Sequence, residues 1–145
     1  MIRPTLYIFA LLLFLTQCTI ETEPINYGTD SCHFCKMTIV DQQHAAQIVT
    51  KKGRNYKYDA IECMVNSLPQ WKSEDVHTYL IADYSVPKKM IDATTAHYLI
   101  AEHMPSPMGA FLSGFENETI RNQYAKSEKD QTLNWSELQK AIAKK

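Results

Sequence analysis

The chain has 145 residues, and its 15 Lys and Arg residues nearly balance its 16 Asp and Glu residues, for a formal charge of −1 at pH 7. Without a basic block in the sequence, nucleic acid and anionic lipid are poor candidates for partners. The sequence also lacks a G-x-S-x-G motif and a phosphate-binding glycine loop, so it carries no hydrolase or nucleotide-binding signature. Its length suits one ordinary domain with a modest core.

The N-terminus has the pattern of a secretory leader. Arg3 precedes an apolar run over 6–15 that is too short to span a membrane stably. Cys18 follows, as in bacterial lipoproteins, where the cysteine sulfur is acylated and becomes the new N-terminus. The sequence therefore predicts a signal peptide over 1–17, lipidation of Cys18 and a polar, lipid-anchored tether over 18–29.

A β-hairpin is predicted over 45–58. β-branched residues favour extended segments over 37–40 and 45–50. A polar turn at 51–55 leads to the alternating residues 56–58, which read as the returning strand.

A helix is predicted after this hairpin. Asp59 is its expected cap, Glu62 follows three residues later, and Pro69 ends it. One face is an apolar stripe at helical spacing, formed by Ile61, Met64, Val65 and Leu68. Cys63 lies about opposite the stripe, either half-exposed or covered by a second layer. A strand over 77–82 completes a β-β-α-β arrangement.

The second part of the chain echoes this order. A strand is predicted over 96–101, followed by an irregular loop over 104–109 and the apolar segment 110–115. Asn117 is expected to cap a helix, and the residues packing inward from it are Ile120 and Tyr124.

The chain is predicted to end in a charged loop over 127–131 and a helix over 133–145. The buried side of that helix is expected to carry Trp135, Leu138 and Ile142. The predicted class is α+β, with two β-β-α-type halves at about 30–85 and 90–145 in one compact domain over 30–145.

Three cysteines remain once Cys18 is assigned to the anchor: Cys32, Cys35 and Cys63. An odd number in an oxidising compartment argues against a fully paired disulfide framework. At least one thiol is left for a metal, a reactive role or burial.

The first chemical cluster is Cys-His-Phe-Cys-Lys-Met over 32–37, with two thiols and a thioether in six residues. Thiolate and thioether are soft ligands that favour Cu(I) over magnesium, calcium or manganese. If a strand begins near Cys35, its side chain and that of Met37 share one face. The competing interpretation makes Met37 a core residue and Cys35 a structural thiol.

The spacing of Cys32 and Cys35 is a C-x-x-C motif, which also occurs in zinc sites, redox dithiols and disulfides. A structural zinc site needs a second ligand pair, and the sequence has no second C-x-x-C or H-x-x-x-H. A thioredoxin-like dithiol precedes a helix, whereas β-forming residues follow here. Both interpretations are therefore weaker than a copper site.

The second cluster is His-Met-Pro-Ser-Pro-Met-Gly over 103–109. Two prolines stiffen a polar surface loop, and a methionine on such a loop gains weight as a ligand. The alternative is a methionine that fills a gap in the core. Met108 is the stronger ligand candidate, and His103 lies beside the same sulfur atoms in sequence.

Several motifs together resemble those of the NosL family, the copper-chaperone lipoproteins of nitrous oxide reductase maturation. These are Cys18, the segment DSCHFCKMTI over 30–39, KYDAIECM over 57–64, and SPMG over 106–109 with Phe115 following. The resemblance covers nearly all of the mature chain.

This resemblance implies a non-enzymatic protein with a fold related to the alkylmercury lyases, anchored to a membrane of the cell envelope and facing the periplasm. It implies Cu(I) held by sulfur and passed to apo nitrous oxide reductase with help from an ABC-type maturation complex. The family's Cys-x-Met pattern falls on Cys35 and Met37, and its Met-Gly on Met108 and Gly109. Many members have glycine where this chain has Lys36.

The leading hypothesis is a Cu(I) metallochaperone, with Cys35 as the anchoring thiolate and Met37 and Met108 completing a site of low coordination number. Cys32 and His103 are further candidate ligands. A rival from another class is a thiol-disulfide oxidoreductase that uses Cys32 and Cys35 and needs neither methionine. A third is a structural lipoprotein in which every sulfur is buried or oxidised.

Overall fold

The computed structural model describes residues 19–142, so the predicted signal peptide and the predicted lipidation site Cys18 lie outside the described residues. Within this range the chain forms strands and three α-helices. The strands are β1 (Ala46–Thr50), β2 (Asn55–Tyr58), β3 (Val76–Ala82), β4 (Met90–Asp92), β5 (His97–Ile100), β6 (Leu112–Phe115) and β7 (Gln131–Leu133). The helices are α1 (Ile61–Ser67), α2 (Glu118–Tyr124) and α3 (Trp135–Ile142).

The strands form two antiparallel sheets with matching connectivity. The first has the order β2-β1-β3-β4 and the second has the order β6-β5-β7. In each sheet the first strand in sequence is central, the second and third flank it, and a helix connects the second strand to the third. The α+β class with two β-β-α-type halves is therefore confirmed.

β1 is the central strand of the first sheet and is buried along its whole length. Ile48 pairs with Tyr56 on one side and Tyr79 on the other. The hairpin to β2 turns through Gly53, whose φ of +78° is a left-handed conformation that glycine adopts without steric cost. β1 is flanked by β2 and β3 and contacts α1, and both of its faces are buried, including the polar Gln47.

The halves pack against each other through β6. An added Cβ on Gly114 would lie 2.2 Å from Cδ1 of Ile81 in β3, so a larger residue here would force the Ile81 side chain to move. Tyr84 N–H donates to the Gly114 carbonyl at 2.8 Å. His44 Nε2 lies 3.2 Å from Ser113 Oγ. These contacts hold the two halves together.

Most of the predicted elements are present, with ends shifted by a few residues. Asn117 caps α2 by accepting from the N–H groups of Thr119 and Ile120 at 2.8 and 3.2 Å. Leu138 and Ile142 are buried in α3 as expected. β4 was not predicted, and β7 begins where the charged loop was expected to end, because strands this short carry too few residues for a periodic signal.

The predicted cap of α1 is wrong. The N-cap residue is Ala60, with no side-chain hydrogen bond. The Asp59 carboxylate accepts instead from the N–H of Val40, and its Oδ1 has no hydrogen-bond partner among the described residues. Asp59 is buried, and its carboxylate binds the backbone at Val40, after Cys32 and Cys35, instead of the first turn of the helix.

Candidate metal site

The first cysteine cluster lies on a tight loop ahead of β1. Ser31 and Thr38 form an isolated antiparallel bridge, and the N–H of Cys32 donates to the Met37 carbonyl at 2.8 Å. Lys36 N–H returns to the Cys32 carbonyl at 3.0 Å. The strand expected from Cys35 onward does not form, so Cys35 and Met37 are brought together by a loop.

The chain turns at Lys36. Its φ of +65° is left-handed, which costs a residue with a Cβ roughly 1–2 kcal/mol. Its ammonium group donates to the His33 carbonyl, a local contact that partly offsets this cost. Glycine would adopt this left-handed conformation between Cys35 and Met37 without the steric cost that lysine bears here.

Three thiols meet at the base of this loop. The Sγ atoms of Cys32, Cys35 and Cys63 all lie within 4.8 Å of one another. Cys63 comes from the first turn of α1. Cys32 and Cys63 are each only 1% exposed, whereas Cys35 is half-buried. In the described part of the chain all three are free thiols.

The thiols differ in their electrostatics. A hydrogen bond from the Cys63 thiol, together with the N–H groups of Asp59 and Cys35, lowers the pKa of Cys32 to about 4. The Cys35 N–H lies 3.4 Å from the Cys32 sulfur. The same contact raises the pKa of Cys63, and burial raises the pKa of Cys35. The loop therefore favours the thiolate at Cys32 over a thiolate at Cys35 or Cys63.

This spacing suits a soft metal ion. Two thiolates bonded to one ion at about 2.3 Å, the length found at zinc, lie at most about 4.6 Å apart. The observed limit of 4.8 Å is close to that separation, so a small adjustment would suffice to bring all three sulfurs onto one ion.

The two candidate methionines lie at the surface. Met37 is 55% exposed and Met108 is 43% exposed, whereas Met104 is buried in the second half's core. Met104 therefore fills the core, whereas Met37 and Met108 do not. The Met37 N–H donates to the Cys35 sulfur, which places the Met37 backbone directly beside that thiol.

Met108 stands on a turn fastened to the cysteine-bearing helix. The turn is closed by the Gly109 N–H, which donates to the Ser106 carbonyl at 2.9 Å. Ser106 Oγ–H donates to Oε1 of Glu62, the neighbour of Cys63 in α1. The long β5–β6 loop is thus held against α1 of the first half at the residue before Cys63.

His103 has other partners. Its Nε2–H donates to the Tyr124 carbonyl at 3.0 Å, and its Nδ1 lies 3.9 Å from Asp130 Oδ2. Both ring nitrogens thus face the end of α2 and the segment before β7. A ligand role for His103 stays a prediction that these contacts do not favour.

Cys63 is the member that sequence reasoning underrated. Its place opposite the apolar stripe of α1 left two possibilities, partial exposure or cover by a second layer, and Cys63 is covered, with the sulfurs of the loop over 31–38 beside it. Asn66 is the exposed residue of this helix, and the other six are buried. The signal that could have found it is the third, unpaired cysteine itself.

The NosL family model matches residues 25–143 of this chain. The chain belongs to the NosL family. The family consists of copper chaperones and not enzymes, in agreement with the expectation from sequence. The structure is similar to the crystal structure of the copper chaperone NosL from Shewanella denitrificans, with a TM-score of 0.70 and 17% identity over 82% of this chain and 96% of that one.

No curated protein matches the sequence. Across residues 19–142, no helix combines the length and apolar character needed to cross a membrane.

Proposed function

We propose that this NosL protein is an exported, membrane-anchored metallochaperone that binds Cu(I) and supplies it for the assembly of nitrous oxide reductase. The observation that carries the proposal is the group of three sulfur atoms within 4.8 Å on a NosL fold. The structural relative from Shewanella denitrificans is itself described as a copper chaperone.

The donor set favours Cu(I) over other common ions. Thiolates and thioethers are soft, and Cu(I) accepts them at low coordination numbers. A structural zinc site takes four ligands, and the group of metal-binding side chains found among the described residues has three members, Cys32, Cys35 and Cys63. Magnesium and calcium prefer oxygen ligands.

Cys35 is assigned as the anchoring thiolate, with Met37 and Met108 as thioether ligands and Cys32 as a further thiolate. Cys35 is the thiol of the cluster that is partly exposed, so it can bond the ion while an acceptor approaches. The exposed methionines can be displaced one at a time. Ligand exchange of this kind passes the ion on without releasing it to water.

The proposed partners are apo nitrous oxide reductase and its ABC-type maturation complex, as the family resemblance implies. Acylation of Cys18 would hold the protein at the membrane, facing the periplasm. The polar segment after Cys18 runs beside β2, since Asn55 Nδ2 donates to the Glu21 carbonyl at 3.3 Å. The chain is therefore tied to the folded domain at Glu21, three residues after Cys18.

A thiol-disulfide oxidoreductase fits the geometry less well. The attacking thiol of such an enzyme must be accessible and have a lowered pKa. Here Cys32 has the lowered pKa but is 1% exposed, and the more exposed Cys35 has a raised pKa. A purely structural lipoprotein leaves the exposed Met37 and Met108 without a role.

The proposal is tested in cells that need nitrous oxide reductase and lack this protein. Expression of the natural chain restores copper to the reductase, measured by metal analysis of the purified enzyme. Cys35→Ala fails to restore it, and Cys18→Ala restores less because the protein is no longer tethered. Met90→Leu, a change in β4 away from the sulfur cluster, behaves like the natural chain. Full copper content without the protein would refute the proposal.

A further inference from the structure

We propose that Glu62 is a positioning residue for Met108, acting through Ser106 to present the thioether to the cysteine cluster. This inference rests on the proposed function, because it assigns a role within the same copper site. It concerns a buried carboxylate that neither the thiol chemistry nor the core requires.

Glu62 lies in the first turn of α1, directly before Cys63, and its side chain is only 3% exposed. Its Oε1 accepts the hydroxyl proton of Ser106 from 44 residues further along the chain. Ser106 is buried as well. The contact therefore joins the helix of the first half to the β5–β6 loop of the second half.

Ser106 organises the turn that carries Met108. Its carbonyl accepts from the Gly109 N–H at 2.9 Å, and its Oγ accepts from the Leu112 N–H at 3.4 Å. Pro107, between Ser106 and Met108, has a fixed φ, and Gly109 takes a φ of +74° that favours glycine. The backbone of Met108 is thus held on both sides while its side chain stays accessible.

The cost of burying Glu62 supports a specific role. Its Oε2 is buried and has no hydrogen-bond partner among the described residues. A buried carboxylate with an unpaired oxygen is unfavourable, and an apolar side chain of similar size would pack here without that penalty. What the carboxylate adds is a directional acceptor for Ser106, and through it a fixed place for Met108.

The test is a double-mutant cycle on Cu(I) affinity, measured anaerobically by competition with a chromophoric chelator. Loss of residues that orient metal ligands lowers metal affinity about 10- to 100-fold, and we expect Ser106→Ala to fall near the lower end. Met108→Leu should cause a similar loss. The double variant should bind as Met108→Leu does, because Ser106 acts only through Met108. Losses that multiply, or no loss in Ser106→Ala, would overturn the proposal.

Two further variants separate positioning from general stability. Ser113→Ala removes another buried serine that bonds across the halves, to His44, and should lower the melting temperature without changing Cu(I) affinity. Glu62→Leu should weaken Cu(I) binding, and Glu62→Gln, which keeps an oxygen acceptor, should recover most of that loss. If Glu62→Gln binds as weakly as Glu62→Leu, the hydrogen bond to Ser106 is not the reason for the carboxylate.

A readout without copper keeps this inference distinct from the proposed function. In the metal-free protein, Ser106→Ala should shift and sharpen the methyl NMR signal of Met108 and speed amide exchange at Gly109, while the buried Met104 methyl stays unchanged. An unaltered Met108 signal would overturn the positioning role. If the natural protein fails to bind Cu(I) but Met108 responds, the proposed function fails and the ordering of Met108 by Glu62 stands.

Discussion

The sulfur atoms of Cys32 and Cys63 lie within 4.8 Å of each other although they come from a loop and a helix 31 residues apart. The Cys63 thiol donates to the Cys32 sulfur and thereby lowers the pKa of Cys32. These two almost inaccessible thiols therefore lie close enough to bind one ion. The half-buried Cys35 lies beside them and is partly exposed to solvent. The cysteine cluster has a closed side and an open side, which suits an ion that is held and later transferred.

Cys63→Ser tests whether the closed side binds the ion. A hydroxyl is a poor ligand for a soft ion, so we expect Cu(I) affinity to fall by more than about tenfold. The measurement is an anaerobic chelator competition. Met64→Leu, a conservative change at the next buried position of α1, should leave the affinity unchanged. Equal affinities for Cys63→Ser and the natural protein would show that Cys63 does not bind the ion.

Lys36→Gly should stabilise the protein. The left-handed φ of Lys36 costs roughly 1–2 kcal/mol, which exceeds the roughly 0.5–1 kcal/mol that the greater freedom of glycine costs on folding. The expected gain in the free energy of unfolding is up to about 1 kcal/mol, measured by urea denaturation. Lys72→Gly is the control, because Lys72 has a φ of −84° and gains nothing. A loss of stability in Lys36→Gly would show that its contact with the His33 carbonyl outweighs the strain.

Asp30→Asn should weaken the attachment of the cysteine loop in a pH-dependent way. Lys57 Nζ lies 2.7 Å from Asp30 Oδ2, and this hydrogen bond, followed by that from the Asn26 N–H, lowers the pKa of Asp30 from its usual 3.8. A lowered pKa in the folded state contributes stability above the unfolded value, and that contribution is lost as the pH falls through the folded value.

The natural protein should therefore exceed Asp30→Asn by up to about 1 kcal/mol at pH 7, and the difference should shrink as the pH falls below 3.8. Urea denaturation at pH 7 and at a pH below 3.8 measures this difference in the free energy of unfolding. Asp92→Asn is a control, since Asp92 is an exposed residue at the end of β4 with local hydrogen bonds to Thr94. A difference between Asp30→Asn and the natural protein that persists unchanged in acid would contradict the ion pair.

Alkylation should distinguish the thiols by access. N-ethylmaleimide should modify Cys35 before the other two, because Cys32 and Cys63 are each 1% exposed. The reaction should be slow, since burial raises the pKa of Cys35 and thiolates are the reactive form. Peptide mass spectrometry gives the order. Rapid modification of Cys32 first would favour the oxidoreductase interpretation.

The sequence predicts the fold better than the site. The hairpin of β1 and β2, the capped helix α2 and the amphipathic helix α3 follow from periodicities of two and 3.6 residues and from local capping, as at Asn117. The repeated β-β-α order was visible for the same reason. These features depend on neighbours in sequence, so a single chain is enough to find them.

The site depends on contacts that a local pattern does not carry. The helical wheel placed Cys63 away from the core, because the wheel has no information about the loop that covers it. A strand was expected after Cys35, but the left-handed conformation of Lys36 turns the chain instead. The link from Ser106 to Glu62 spans 44 residues, and no spacing rule predicts such a pair.

The central claim is tested most directly by an anaerobic Cu(I) titration of the protein beginning at Thr19, in competition with a chromophoric chelator. The natural sequence should bind one Cu(I) tightly, Cys35→Ala should lose that binding, Met108→Leu should weaken it, and Met90→Leu should not change it. If the fully reduced natural protein does not compete with the chelator, the protein is not a copper chaperone and its sulfur cluster has another purpose.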